Sequence, residues 1–303
     1  MVAASFLLPL ALWCIVSYVP FVWHPQIEVV EPGSVDYLQV GMRVDREQFE
    51  SERVAALAAG VAPPEGVRSN PIYLPAPHEV VSALFSAFGE RPDKRSEEWL
   101  HVSLMHSVSI IAWGFILSCL FGLPLGVLCG TYPTLSHLIE PFVEFFRYFP
   151  APAFGALCVA ILGIYDAPKI AIIFIGTFFQ LVLITANTAR GLAQPLIDAA
   201  QTLGANHRRI LLSVVLPGSA PRLFRDLRIL LGWAWTYLIV AELVGSSSGI
   251  TWFITQQARY KNFDEVFAAI LVIGLIGLLS DVLLAWLGRR LFPWESRRVA
   301  AGA

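Results

Sequence analysis

Charged residues are scarce in this chain. Asp, Glu, Lys and Arg together make up 15% of its 303 residues, whereas 56% of the residues are hydrophobic and the mean hydropathy is +0.64. A soluble domain of this length carries more charge, because its surface must be solvated. The scarcity of charge therefore excludes an ordinary soluble protein and indicates an integral membrane protein.

Residues that supply metal or redox chemistry are also few. The four cysteines lie in or at the end of apolar runs, where cysteine behaves as a small hydrophobic residue, so no disulfide framework is expected. The six histidines show no His-Glu-x-x-His or similar close spacing, so no metal site is expected. A phosphate-binding loop of the form Gly-x-x-x-x-Gly-Lys-Ser/Thr is missing as well. The chain is therefore not expected to bind ATP in that way.

What the sequence does contain is a series of apolar runs, most of them about 20 residues long, which is the length that crosses a hydrocarbon core of roughly 30 Å as a helix. These runs predict an all-α membrane protein with six transmembrane helices, at about residues 2–23, 104–129, 150–164, 169–188, 227–244 and 266–287. The third run is short and follows a proline-broken stretch at residues 146–152, so its start is the least defined.

The distribution of arginine predicts the orientation of these helices, because cytoplasmic loops carry an excess of Lys and Arg. The segment between the fourth and fifth runs and the C-terminal tail are both rich in arginine: Arg190, Arg208, Arg209, Arg222, Arg225 and Arg228 in the segment, and Arg289, Arg290, Arg297 and Arg298 in the tail. Both termini are therefore expected in the cytoplasm, and residues 24–103 are expected outside it.

The extracytoplasmic segment has two parts. Residues 31–70 begin and end in turn-forming sequences, and residues 45–59 have the composition and apolar spacing of a short amphipathic helix. This part is either a solvated excursion or a surface that helps to seat a partner protein. Residues 75–90 carry apolar side chains at a period of 3.6 residues, which predicts a helix at the membrane interface.

A pattern of two short helices joined by a turn lies between the fourth and fifth runs. It consists of Asp198-Ala199-Ala200, then Gly204, then a basic turn with Arg208 and Arg209, and finally Leu216-Pro217. The two alanines leave one helical face almost without side chains, so another protein can approach the backbone closely. Gly204 allows the left-handed dihedral that ends a helix sharply, and Leu216-Pro217 is expected to close the second helix. The pattern predicts a docking device.

This loop resembles the EAA loop of ABC importer permeases, with Asp198 in place of the usual Glu. In that family the loop forms the coupling helix that sits in a cleft of the ATP-hydrolysing subunit. Further similarity is found at residues 73–88, 145–154, 232–243, 246–250 and 290–294, and it favours the branch that handles nitrate, sulfonates, taurine and bicarbonate. The resemblance covers about residues 71–295, so residues 31–70 look like an insertion.

The resemblance implies a type I ABC importer permease fold. Its parts are a first transmembrane helix at residues 1–23, an extracytoplasmic segment at 24–103, a five-helix core at 104–291 with a coupling loop at 191–221, and a cytoplasmic tail at 292–303. The residues that it implies in coupling to the ATPase are Asp198, Ala199, Ala200, Gly204, Arg208, Arg209, Leu216 and Pro217.

The resemblance also implies partners and a substrate class. The partners are a cytoplasmic ABC ATPase dimer that binds MgATP, a second permease copy in a homodimer, and an extracytoplasmic solute-binding protein, in the lipid bilayer of a bacterial inner membrane. No nucleic-acid partner, no cofactor and no catalytic residue are expected on this chain. The implied substrate is a small oxyanion or sulfonate, such as nitrate, taurine or an alkanesulfonate.

Polar residues within the apolar runs are candidates for the substrate path, since a charge in hydrocarbon costs several kcal/mol unless a partner or water is near. Glu242, near the outer end of the fifth run, either bonds to neighbouring helix ends or a turn, or lines the path. The other candidates for a polar and aromatic lining are Gln180, Asn187, Trp233, Trp235 and Tyr237. Asp226 and Asp281 are interpreted as structural, and Gly114, Gly122 and Gly126 as positions of close helix packing.

Two other protein classes stay open at this point. An ion-coupled secondary transporter would act without an ATPase, but it would need paired interrupted helices near the bilayer midplane, and the sequence shows no such pair. A membrane-embedded enzyme would need a nucleophile and a base at suitable spacing, which the sequence does not show either.

Overall fold

The computed structural model describes residues 2–19, 22–89, 99–244 and 248–294. The chain forms two compact units, one of residues 1–100 and 253–272 and the other of residues 101–252 and 273–303. Most of the predicted cytoplasmic tail, with Arg297 and Arg298, and the first half of the predicted turn at 246–250 lie outside the described residues.

The first unit contains a small antiparallel sheet. Its elements are α1 (Val2–Tyr18), β1 (Gln26–Glu31), β2 (Arg43–Asp45), α2 (Arg46–Ala58), β3 (Glu65–Ser69) and α3 (Pro77–Gly89). The strand order is β2-β1-β3, and Ile27 of β1 lies opposite Val44 on one side and Arg68 on the other.

The prediction of an all-α fold is wrong for this segment, although the predicted helix at residues 45–59 is confirmed as α2. Alternate residues of a strand point to one face, and Ile27 and Val29 use this period to pack with Val44 and Phe49 in a core of their own. The alternation is confined to one short strand, because β2 and β3 each carry a single large apolar residue. So short a pattern gives a weak strand signal.

Helix α3 lies where the interfacial helix at residues 75–90 was predicted. Val80 and Ala83 are buried on one side and pack against Trp13 and Phe267, whereas Phe85 on the other side is exposed. The helix is therefore two-sided, as its sequence period indicates. Its position at a membrane interface stays a prediction.

The remaining helices include the membrane-crossing candidates. They are α4 (Leu100–Thr131), α5 (Pro133–Phe146), a 3-10 turn (Ala151–Phe154), α6 (Gly155–Leu162), α7 (Asp166–Arg190), α8 (Gln194–Thr202), α9 (His207–Ile210), a π-helical segment (Leu211–Val215), α10 (Leu216–Val244), α11 (Ile250–Arg259) and α12 (Phe263–Leu291). Within the described ranges, four helices are long and apolar enough to cross a membrane: Leu100–Thr131, Asp166–Arg190, His207–Val244 and Phe263–Leu291.

By length and composition, the six predicted spans thus become four, or five if the bent pair α5 and α6 crosses as one unit. The predicted first span at residues 2–23 is the 17-residue α1, which contains Pro9 and is about 25 Å long at 1.5 Å per residue. The predicted third span at 150–164 contains only the 3-10 turn and α6, after a bend of 83° from α5. Pro150 and Pro152 explain the bend, because proline lacks an N–H and displaces the residue before it from helical dihedrals.

Helix α7 packs closely against α4 through glycines. A Cβ atom at Gly126 would lie 2.6 Å from the carbonyl oxygen of Val182, and one at Gly114 would lie 2.7 Å from Cγ2 of Ile173, which leaves no room for a larger residue. Gly122 faces the side chain of Leu181, which a Cβ atom would meet at 3.0 Å. A hydrogen bond of 2.6 Å between Ser118 Oγ and Thr177 Oγ1 also joins the two helices. The interpretation of these glycines as positions of close helix packing is confirmed.

The turn that follows the C-terminus of α11 has a lysine, Lys261, at the position where glycine is usual. The N–H of Lys261 donates to Ala258 O at 3.1 Å, and the N–H of Asn262 donates to Gln257 O at 2.9 Å, which is the Schellman pattern. Lys261 has φ +64°, and no other described non-glycine residue has a positive φ. A side chain in this conformation costs roughly 1–2 kcal/mol relative to glycine.

Candidate functional site

The predicted docking device begins with helix α8, which ends in a glycine turn. The N–H of Gly204 donates to Gln201 O at 2.9 Å, and the N–H of Ala205 donates to Ala200 O at 3.0 Å. These two bonds form a Schellman motif, and Gly204 adopts φ +77° at its centre. The left-handed turn that the sequence predicts is therefore present, and it fixes the direction in which the chain leaves α8.

The second helix starts at a polar cap and does not stop at Leu216-Pro217. Asn206 Oδ1 accepts a hydrogen bond of 2.9 Å from the N–H of Arg209 and so caps α9. The chain then passes through the π-helical segment into α10, which begins at Leu216 and runs to Val244. The prediction that Leu216-Pro217 closes the helix is wrong. The wider π turn just before Pro217 accommodates a residue that cannot donate to the preceding turn.

The outer side of α8 presents an apolar face. Leu196, Ala199 and Leu203 follow each other at intervals of three and four residues, so they lie on one side of the helix. All three are exposed, and Leu203 is 88% exposed. Asp198 stands beside this face, accepts a hydrogen bond of 2.9 Å from Gln194 Nε2, and is exposed as well. We call Leu196, Ala199 and Leu203 the α8 face.

The inner side of α8 packs onto the transmembrane helices. Ala200 and Ile197 are half-buried and belong to a core that includes Val127 of α4 and Ala189 of α7. Of the two alanines predicted to form a bare surface, only Ala199 faces outward. The loop is also tied down by the guanidinium of Arg222, which donates to Gly191 O at 3.2 Å.

Glu242 is buried and bonded to the start of α11. Its Oε2 accepts a hydrogen bond of 2.8 Å from the N–H of Thr251, and Ser107 Oγ donates to its Oε1. Ser107 Oγ in turn accepts from the N–H of Ile250 at 2.8 Å. Gly249, with φ +105°, faces this carboxylate so closely that a Cβ atom there would collide with it. This geometry corresponds to the first of the two interpretations of Glu242, in which the side chain bonds to a neighbouring helix end.

The other substrate-path candidates are distributed along α7 and α10. Gln180 and Tyr237 are half-buried, and Tyr237 packs on Gly176 of α7. Trp235 is also half-buried, and its Nε1 is buried without a hydrogen-bond partner among the described residues. Trp233 is 45% exposed. The role of these side chains in a substrate path stays a prediction.

Asn187 stands apart from this group. It is exposed at the end of α7, where its Oδ1 accepts a hydrogen bond of 3.0 Å from Arg190 Nη1. It borders an open cavity of about 490 Å³, which Thr188, Arg222 and Asp226 also line. Thr188 Oγ1 donates to Asp226 at 2.6 Å, so Asp226 has the structural contact expected of it.

Comparison with known protein families decides the class. Residues 122–293, more than half of the chain, match the family described as binding-protein-dependent transport system inner membrane component. The chain belongs to this family of ABC transporter permeases.

Individual relatives agree with this assignment. The permease is 32% identical over 226 residues to the taurine transport system permease protein of Escherichia coli (strain K12), which covers 75% of this chain and 82% of the relative. It is 30% identical over 184 residues to the bicarbonate transport system permease protein of Synechococcus elongatus, which covers 60% and 66%. Its fold is similar to a chain of the MetNI methionine ABC transporter in an inward-facing conformation, with a TM-score of 0.55 at 20% identity, over 65% of this chain and 97% of that one.

Membership of this family establishes the general function of the permease. It is the mostly helical membrane component of a binding-protein-dependent ABC importer, and the ATPase is a separate subunit in such transporters. The permease is therefore not itself an enzyme. Its complexes contain an ATPase and a solute-binding protein, so the alternatives of a lone secondary transporter and of a membrane-embedded enzyme are set aside.

Two features of the permease were missed in the sequence. Leu196 and Leu203 frame Ala199 on the α8 face, and their spacing of seven residues was the signal that could have revealed them. Lys169 is only 1% exposed, and its Nζ lies 3.3 Å from Asp166 Oδ1 and 3.2 Å from Ser248 Oγ. Only the spacing of Asp166 and Lys169 was visible in the sequence, because Ser248 approaches from a distant part of the chain.

Proposed function

We propose that this permease couples ATP hydrolysis by its partner to the uptake of a small oxyanion or sulfonate, with α8 as the coupling helix. The observation that carries this proposal is the exposed α8 face, which the turn at Gly204 holds in a fixed direction. Apolar side chains that are this exposed gain free energy when a partner removes them from water. The loop at residues 191–221 is accordingly the surface that docks in the ATPase.

Polar residues border the α8 face and are expected to set its orientation on the ATPase. Asp198 carries a negative charge on α8, and Arg208 and Arg209 carry positive charges on α9, all of them exposed. Charges at the rim of an interface contribute to association rate and register more than to affinity. Leu216 and Pro217 are exposed at the start of α10 and complete the coupling set.

The inner side of α8 supports the proposal that movement of α8 is transmitted to the transmembrane helices. Ile197 and Ala200 pack in the same core as Val127 of α4 and Ala189 of α7, and close-packed interiors transmit displacement. Arg190, at the end of α7, forms an ion pair with Glu140 of α5, which adds a third helix to the assembly. Movement of α8 on ATP binding and hydrolysis would thus reach three helices and switch the pore between outward-open and inward-open states.

The substrate class is inferred from the relatives and from the lining. The two permeases named above serve taurine and bicarbonate, which both carry a small oxyanion group. We infer a substrate of the same class, such as nitrate, taurine or an alkanesulfonate. Gln180, Trp235 and Tyr237 are the half-buried side chains on α7 and α10 that would line its path.

The assembly that we propose is a homodimer of permeases in the bacterial inner membrane. Its chains cross six times if α1 and the bent pair α5 and α6 are counted, with residues 24–103 outside and both termini in the cytoplasm. The arginine distribution supports this orientation. Exposed apolar residues on α12, among them Leu275, Leu279 and Leu283, suit contact with lipid or with the second copy.

Reconstitution tests the proposal. Proteoliposomes that contain the permease, its ATPase and MgATP should accumulate the solute only when the solute-binding protein is present, and loaded binding protein should raise the rate of ATP hydrolysis. A panel of nitrate, taurine, ethanesulfonate and bicarbonate identifies the substrate. The matched control contains the permease alone under an imposed proton or sodium gradient, where no uptake is expected. Accumulation in that control, or a preferred substrate that carries no oxyanion group, would contradict the proposal.

A further inference from the structure

A polar cavity lies in the first unit, and all of its lining residues belong to that unit. Its volume is about 380 Å³, at the lower end of the range for small-molecule sites. Residues from three parts of the chain line it: Arg43 of β2, Glu79 of α3, and the turn from Lys261 to Asp264 that joins α11 to α12. The proposed coupling to ATP hydrolysis does not assign a role to this cavity.

The strongest sign of function is the backbone of Lys261. The residue occupies the left-handed position of a helix-ending motif that glycine fills without strain. Strained residues of this kind persist only where the surrounding structure holds them, and they cluster at functional sites. Lys261 is exposed and lines the cavity, so the strain points to a use for its ammonium group there.

The charges around the cavity divide into paired and unpaired groups. Arg43 is neutralised by Glu79 and by Glu28, whose carboxylate lies 3.6 Å away, and Glu79 also accepts a hydrogen bond of 2.7 Å from the N–H of Ala76. In contrast, neither the ammonium of Lys261 nor the carboxylate of Asp264 has an ion-pair or hydrogen-bond partner in the described part of the chain. The cavity therefore offers one unpaired cation and one unpaired anion.

We propose that this cavity binds a small zwitterion, whose oxyanion group is held by Lys261 and whose ammonium group is held by Asp264. A simple oxyanion would satisfy Lys261 but leave Asp264 without a partner. Opposite charges at both ends of the ligand satisfy both groups, and charge-assisted hydrogen bonds are the stronger ones. This inference rests on the proposed function in one respect, because it narrows the proposed substrates of the permease to zwitterions. Binding to the cavity can nevertheless be measured without transport.

Binding of taurine to the purified full-length permease in lipid nanodiscs tests the site by calorimetry. Taurine should bind saturably, whereas ethanesulfonate, which lacks the ammonium group, and ethylamine, which lacks the sulfonate, should bind at least tenfold more weakly. β-Alanine distinguishes a sulfonate from a carboxylate as the preferred oxyanion.

Variants separate a binding role from a structural one. Lys261→Gly removes the ammonium group and the backbone strain together, so affinity for taurine should fall at least tenfold while the thermal midpoint stays unchanged or rises. Lys261→Arg should retain binding, and Asp264→Asn should make taurine and ethanesulfonate bind equally. Arg53→Gln removes an exposed cation outside the cavity and should change nothing.

Each outcome decides for or against the site. Unchanged taurine affinity in Lys261→Gly, or no saturable binding of any zwitterion to the wild type, overturns the inference. ATP-driven uptake by the full complex without binding to the nanodisc permease would reject the cavity and leave the importer function standing. Binding with the expected variant pattern but without ATP-driven uptake would support the cavity site and reject the importer function.

Discussion

Arg228 and Asp281 form a two-pronged ion pair between α10 and α12. Nε of Arg228 donates to Oδ1 of Asp281 at 2.8 Å, and Nη2 donates to Oδ2 at 2.7 Å. Parallel bonds between a guanidinium and a carboxylate are among the strongest hydrogen bonds in proteins. Both residues lie in helices that are long and apolar enough to cross a membrane, so each supplies the partner that the other needs there.

Loss of one partner should therefore destabilise the permease. In Asp281→Asn the guanidinium keeps its charge but loses its counter-ion, and we expect the free energy of unfolding to fall by about 1–3 kcal/mol, since both side chains are only partly buried. The thermal midpoint in detergent measures the effect. The double variant Arg228→Leu with Asp281→Leu should recover most of the loss. Equal stability of Asp281→Asn and the wild type would show that the pair contributes little.

Substitutions at Gly204 should be limited by the backbone conformation and not by contacts of the new side chain. A Cβ atom at Gly204 meets nothing within 4 Å, so a substitution there is opposed only by φ +77°. Gly204→Val should cost at least about 1 kcal/mol and redirect α8, so that ATP-driven uptake falls while insertion into the membrane persists. Gly204→Asn is the matched control, because asparagine tolerates left-handed dihedrals. Normal uptake by Gly204→Val would remove the basis for the coupling proposal.

The α8 face should govern binding of the ATPase without affecting the fold. Leu203 is 88% exposed, so Leu203→Glu removes an apolar contact with the partner and nothing inside the permease. We expect affinity for the ATPase to fall by tenfold or more and the thermal midpoint to stay unchanged. Co-purification and calorimetry in nanodiscs provide the two measurements. Leu203→Met, which keeps the face apolar, should bind normally; ATPase affinity that is insensitive to Leu203→Glu would mean that docking occurs elsewhere.

Glu242 offers a choice between a helix cap and a substrate ligand. Gln in its place can still accept from the N–H of Thr251, so Glu242→Gln should lower stability by about 1 kcal/mol and leave the substrate preference of uptake unchanged. Gly249→Ala should be far more damaging, because the added methyl group meets the carboxylate of Glu242 at a φ of +105°. Thermal midpoints and competition between solutes test both variants. A changed solute preference in a fully stable Glu242→Gln variant would favour the path interpretation.

Single cysteines test the orientation in the membrane. Ser51 of α2 and Ser213 of the π-helical segment are both exposed, so each should react with a thiol reagent that can reach it. In a background without the four native cysteines, Ser51→Cys should be labelled by an impermeant reagent in intact cells, and Ser213→Cys only after permeabilisation. The opposite pattern would invert the topology.

The sequence predicted the structural features that depend on local chemistry. Gly204 and the alanines before it were recognisable because a helix end and a bare helical face have fixed residue requirements. The spans at α4, α7 and α12 were found because their apolar runs are long and nearly free of charge. The direction in which each side chain points was harder to predict from the sequence. Ala200 packs inward, because the α8 face is centred on Ala199.

The features that were missed depend on contacts between distant parts of the chain. The sheet around Ile27 is formed by three short strands, none of which is long enough to give a clear alternation. Lys169 is partnered by Ser248, and Arg228 by Asp281, at separations of 79 and 53 residues. The 83° bend before α6 also depends on proline effects that hydropathy alone does not register.

The glycines that bring α4 against α7 have a consequence for movement during transport. Sliding of the two helices past each other is opposed, because Ile173 and Thr185 of α7 are seated against Gly114 and Gly126 of α4. If α8 is the coupling helix, as we propose, the two helices should therefore move as one unit when α8 is displaced. The angular change should then be absorbed outside this contact, and we expect the 83° bend between α5 and α6 to act as the hinge.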